Sequence, residues 1–167
     1  MCLLHWKFWK GEAMADSVEV AFDKSELSAV FRAFKNMEQG AIDAAKQQSG
    51  ALTEYLQGKI QNAARQRGKD SVSASRIADG SRVKKSSKIG ELSIGFASQK
   101  FSGGGTTQML WGGNEFGSNK YKQFPIWSGK EGRGSRGWFI YPTLRQEQPY
   151  IVREWENGFQ QILKEWG

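Results

Sequence analysis

Apolar residues recur at steps of three and four along two separate stretches of the chain, and between them that period does not persist. The first stretch runs from about Glu38 to Gln66, with Ile42, Ala45, Leu52, Leu56, Ile60 and Ala63 on one stripe and Ser49 between Ala45 and Leu52. The second closes the chain, with Leu144, Ile151, Val152, Trp155, Phe159, Ile162, Leu163 and Trp166. Such stripes are helix faces that need covering. The fold must therefore bury two long amphipathic helices around something of a different kind. A shorter helical run precedes them. Asp23-Lys-Ser-Glu26 is a variant capping box, followed by Leu27, Val30, Phe31 and Phe34, while Val18–Phe22 ahead of it alternates like a strand. Gly40 and Gly50 are positions where the first long helix is expected to bend or break, and Gly68 is a natural stop. Pro142 suits the first position of the last helix. Pro149, inside its pattern, predicts a kink or a restart.

From Val72 to Tyr141 the texture changes, and Gly, Ser and Thr become dense. Val72–Ile77 alternates weakly. Ser81–Lys85 and Leu92–Phe96 read as two strands of a hairpin joined through Ser86–Gly90. Met109–Trp111 and Trp138–Tyr141 read as further short strand or core segments, with loops at Gly103–Gly105 and Ser128–Gly137. The expected class is α+β: two N-terminal helices, a small, mostly antiparallel sheet and a long C-terminal helix packed on it, in a single domain over residues 14–167.

Charge divides along the same lines. The chain of 167 residues carries a net charge of +7. Residues 58–137 hold 15 Lys and Arg against 5 Asp and Glu, and the remainder holds 9 against 12. A basic middle thus sits between near-neutral or acidic helices. Its clusters are Arg65, Arg67 and Lys69; Arg82, Lys84, Lys85 and Lys88; and Lys130, Arg133 and Arg136. Such a surface suits a polyanion, above all a DNA backbone; the competing reading is a solvated sheet edge guarded by Lys. Alternation in Ser81–Lys85 puts Arg82 and Lys84 on one face and Val83 on the other. Arg82, Lys84 and Lys88 are the candidate DNA-facing residues. No recognition helix, zinc finger or RNA-binding aromatic motif accompanies them, which argues against sequence-specific readout.

Catalytic signatures are poor. The only Cys and the only His are Cys2 and His5, so an internal disulfide and a cysteine-based zinc site are excluded. Neither Gly103-Gly-Gly-Thr-Thr107 nor Gly129–Gly137 ends in the Lys-Ser/Thr of a phosphate loop. The carboxylates of the basic middle are scattered. No cofactor, metal or catalytic residue is expected. Aromatics, by contrast, are abundant from Trp111 onward. Trp138, Trp155 and Phe159 read as core, whereas Trp111 and Trp127, flanked by Gly and Ser, lean towards an interface.

Leu110-Trp-Gly-Gly-Asn-Glu-Phe-Gly-Ser118, Gly137-Trp-Phe-Ile-Tyr-Pro-Thr-Leu144 and the closing helix around Ile151–Trp155 resemble the tail-component family of long-tailed phages, whose members are described as neck, tail-completion or head-to-tail connector proteins. The similarity covers about Val18 to Trp166, and none of its motifs is chemically diagnostic. It implies a non-enzymatic virion component that forms a ring at the head–tail junction or the head-proximal end of the tail. Its partners would be further copies of itself, other neck, connector or tail-tube proteins, and packaged DNA, with no membrane. It would reside in the host cytoplasm before assembly and in the virion after it. Trp111, Glu115, Phe116 and Trp127 are the expected subunit-interface residues; the competing reading pairs Glu115 with an Arg of its own sheet. Two other function classes stand beside this one: a non-sequence-specific DNA-binding accessory protein, and a small nuclease with an unrecognised site.

Residues 1–13, MCLLHWKFWKGEA, have no counterpart in the resemblance and show no usable period. They read either as an arm that docks on a partner or as the product of an upstream start codon, the second being the expectation. The working protein should then begin at Met14. Intact mass of the protein from native particles checks this, and a species retaining Cys2 and His5 would refute it.

Overall fold

The computed structural model describes residues 39–66, 71–84, 91–95, 99–124 and 136–166. Helix α1 spans Gln39–Arg65 and α2 spans Ser71–Asp79; strands β1, Arg82–Lys84, and β2, Glu91–Ser93, follow; then come α3, Thr107–Phe116, and α4, Ile140–Trp166. The class is α+β, with a two-stranded antiparallel sheet among the described residues. The expected elements at Val18–Phe22 and Asp23–Phe34 lie outside the described residues.

Helices α1 and α4 are each 27 residues long, about 40 Å at 1.5 Å per residue. They lie antiparallel, as three cross-contacts fix. Gly40 meets the ring of Trp166; Gln48 donates to the Glu154 carbonyl at 2.7 Å; Tyr55 donates to Glu147 Oε2 at 2.7 Å. The seam is lined by small residues. Ala41, Ala45, Ser49 and Thr53 are all buried at a step of four, which rotates the buried face slightly from the Ile42–Ala63 stripe. Opposite them Gly158 is buried, and a Cβ there would overlap the Gln48 amide. The long C-terminal helix therefore packs mainly along α1, and the hairpin packs against α1 as well.

Two apolar clusters result. The smaller joins Ala41 and Ala45 to Ile162. The larger gathers Ile60 and Ala64 of α1, Ala74, Ile77 and Ala78 of α2, Leu92 and Ile94, and Trp138–Ile140 with Leu144. Leu56, Ala63, Val83, Phe101, Leu110 and Trp111 pack on its margin.

Three segments correct the sequence reading. Val72–Ile77 is helical: its buried residues are Ala74, Ile77 and Ala78, spaced i, i+3, i+4, while Val72 is 72% exposed. Met109–Trp111 lies inside α3, whose inward residues Thr107, Leu110, Trp111, Asn114 and Glu115 also follow helical spacing. Gly112 and Gly113 hid that helix by lowering its propensity. Trp138 and Phe139 are core residues, but the backbone enters α4 at Ile140 rather than forming a strand. Helix α1 passes through Gly40 and Gly50, Pro142 is the third residue of α4, and α4 runs on through Pro149. Pro142 still falls in the first turn, where its missing N–H leaves no carbonyl unpaired. Pro149 sits on an exposed face, so its unbonded carbonyl partner can be solvated.

The seam predicts two contrasting substitutions. Ala45→Leu should separate α1 from α4 and destabilise by about 1–3 kcal/mol. Gly158→Ala should be near neutral, because displacing the flexible Gln48 amide costs about 1 kcal/mol and the gain in helix propensity is of similar size. Thermal melts of the two variants check the ranking.

Candidate functional site

The candidate residues fall on two elements. Arg82 and Lys84 lie on β1, where Arg82 pairs with Ser93, Val83 with Leu92, and Lys84 with Glu91. Leu92 is buried and Val83 packs against the larger cluster, so Arg82 and Lys84 face outward, as the alternation required. The strand is held at its base by Gln57 of α1, which donates to both the carbonyl and the hydroxyl of Ser81 at 3.0 and 2.9 Å. The two cations are not equivalent. Lys84 Nζ sits 3.5 Å from Glu91 Oε2 across the strand pair, so part of its charge is already answered within the hairpin. Lys88 lies outside the described residues, as do Arg67, Lys69, Lys130 and Arg133. Arg65 is engaged by Asp79 at 2.5 Å.

Trp111, Glu115 and Phe116 come together on α3; Trp127 lies outside the described residues. Thr106 caps the helix, accepting from the Met109 amide, and Gly117 ends it at φ 81. Glu115 corrects the expectation most sharply. It is fully buried and pairs with no Arg of the sheet. Its Oε2 accepts from the amides of Phe139 and Ile140, both at 2.9 Å, and its Oε1 accepts from Tyr141 at 2.8 Å. A carboxylate 24 residues upstream thus caps the start of α4. Gly137 makes the approach possible: its φ is +73, and a Cβ there would collide with Glu115 Oε1 and Tyr141 Cβ. The neighbouring Asn114 is also buried. It accepts from the Ser73 hydroxyl of α2 and donates to the Leu110 carbonyl at 2.9 Å. Adjacent residues of α3 thereby hold two other helices.

Trp111 is half-buried and packs on the larger cluster, with its indole over Gly95, where a Cβ would come within 2.6 Å of Cδ1. Phe116 lies edge-on to Trp111 at 6.2 Å and against Tyr141 at 5.4 Å. Glu115 is therefore removed from the candidate interface, and Trp111 is anchored in its own fold. Phe116 remains half-buried at the edge of the aromatic group.

Sequence reasoning missed a further basic group. Arg76 on α2 is exposed, donates to the Lys100 carbonyl at 3.0 Å, and lies 4.2 Å from the centre of the Phe101 ring. A single Arg between Lys69 and Arg82 gives no cluster signal in the sequence. Among the described residues, no three His, Cys, Asp or Glu side chains come together as metal ligands, and no helix is long and apolar enough to cross a membrane. No family model, curated protein or solved structure matches the chain.

Desolvation pushes the Glu115 carboxyl above the ordinary glutamate range, against the opposing pull of the Trp138–Tyr141 amides. A raised folded value means the folded state favours the protonated acid. Its contribution is fully present below the ordinary glutamate value and is lost as pH rises through the folded value. Glu115→Gln should remove this component from the pH dependence of the unfolding midpoint. Glu115→Ala orphans three amides and should destabilise by about 3 kcal/mol or more. Gly137→Ala should cost more than about 1 kcal/mol through its φ alone. Denaturant unfolding across a pH series tests all three.

Proposed function

We propose that this chain is a structural component of a phage head–tail junction or head-proximal tail end, assembling into a ring around the DNA path. The observation that carries the reading is the outward basic edge of β1 on a chain whose α3 and α4 motifs resemble phage connector proteins. Arg82 and Lys84 project from a strand whose opposite face is buried, and the strand is tied to α1 through Gln57 and Ser81. Outward cations on an anchored strand suit a surface facing a polyanion. Segregation of basic and near-neutral segments also supports the reading, because a closed ring requires two different, complementary patches on each subunit.

The buried position of Glu115 refines this proposal. The Trp111–Gly117 segment would act by setting the fold, and the ring contacts would lie on other surfaces. Native mass spectrometry of the purified chain, alone and with tail-tube protein, tests assembly, and a discrete ring is the expected outcome. A chain that remains monomeric while binding DNA would favour an accessory DNA-binding role instead. For the basic edge, Arg82→Gln should lower affinity for a mixed-sequence duplex more than Lys84→Gln does, because Glu91 already offsets Lys84. The salt slope should flatten by about 0.9 for each phosphate contact removed. Unchanged binding in both variants would remove β1 from the DNA surface.

A further inference from the structure

We infer that Arg76, with Lys100 and the bare backbone at Gly103–Gly104, forms a second phosphate-contacting site, for the backbone of duplex DNA. The inference rests on the DNA-facing reading above and adds to it a place that no sequence cluster marked.

Arg76 is held by two contacts. One guanidinium N–H is fixed on the Lys100 carbonyl at 3.0 Å, and Cζ lies over the Phe101 ring, 4.2 Å from its centre. Both contacts restrain a side chain that is nevertheless exposed. An arginine held this way loses less rotamer freedom on binding, and its planar fork matches two phosphate oxygens at once. The nearest carboxylate on its own helix, Asp79, is engaged by Arg65 at 2.5 Å. Lys100 adds a second exposed cation, on a segment bridged to Thr106.

The loop between these bridge partners supplies access. It is closed by Phe101 N–H to the Gly105 carbonyl at 2.8 Å and by Gly104 N–H to the Phe101 carbonyl at 2.9 Å. Gly103 and Gly104 are exposed, and no atom lies within 4 Å of where a Cβ on either would stand. The loop that carries Phe101 thus presents bare backbone at its tip, where a bulky polyanion meets no side chain. A carboxylate fits the same fork; the excess of Lys and Arg over residues 58–137, where Arg76 and Lys100 both lie, favours a polyanion backbone.

The test uses the full chain and a fluorescently labelled mixed-sequence duplex titrated at several salt concentrations. Arg76→Gln should weaken binding and flatten the salt slope by about 0.9. Arg76→Lys keeps the charge but not the fork, so it should weaken binding about tenfold with the slope retained. Phe101→Leu, which keeps every cation, should also weaken binding by removing the ring that restrains Arg76. Arg153→Gln, on exposed α4, should bind like the parent chain. Melting curves establish that each variant is folded; the Arg76→Lys comparison and Phe101→Leu keep the inference testable if Arg76→Gln is not. Binding by the parent chain that all three site variants preserve would overturn this site while leaving the DNA reading intact. Absence of binding by the parent chain at low salt would overturn the DNA reading itself, and this site with it. Competition by polyglutamate as effective as by unlabelled duplex would overturn the phosphate assignment.

Discussion

The carboxylate of Glu115 at the head of α4 is the interaction on which the rest of the structure depends. Helix α4 begins inside the protein, with Trp138, Phe139 and Ile140 all buried, so water is not available to its first amides. Those amides need an acceptor, and Glu115 supplies one from a separate helix. A negative group at a helix start also complements the macrodipole. Burial opposes the ionised form, and the amides oppose that in turn. The interaction is strong because its alternative, the buried amides of Phe139 and Ile140 without a partner, is costly.

Once α4 starts there, its course is determined. It runs antiparallel to α1 along a seam of small residues, where Ala41, Ala45, Ser49 and Thr53 let the two helices approach. Register is held midway by Glu147, which accepts from Tyr55 at 2.7 Å and lies 3.4 Å from Lys59, with Tyr150 against the Tyr55 ring at 4.9 Å. The hydrogen bond to Glu147 holds the Tyr55 hydroxyl above its ordinary range. Apolar burial supplies the drive in both clusters, and these polar contacts choose one alignment among several that the small residues would permit.

The same framework places the cations. Gln57 connects α1 to the start of β1, and Asn114 and Ser73 connect α3 to α2. The outward face of β1 and the Arg76–Phe101 contact are therefore carried on elements tied to the core. A charged surface held in this way keeps its geometry under load, which suits the proposed position of the chain in a ring around DNA. Trp111, Asn114 and Glu115 face inward and each join α3 to a different part of the fold.

The sequence by itself determined the long helices, the hairpin and its facing. Stripes at three and four residues and the alternation of Ser81–Lys85 are local patterns, legible before anything that covers them is known. Tertiary structure decided what period alone could not. Val72–Ile77 is too short for a period of two to be told from helical spacing, and only packing of Ala74, Ile77 and Ala78 against α1 and the core made it a helix. Gly112 and Gly113 weaken α3 locally; the helix stands because Gly113 admits the Phe124 ring, 2.8 Å from where a Cβ would be, and because Asn114 and Glu115 are held from outside. The role of Glu115 was invisible in one dimension for the same reason. A capping carboxylate 24 residues from its helix leaves no spacing signature, and its partners are backbone amides, which every residue but proline carries.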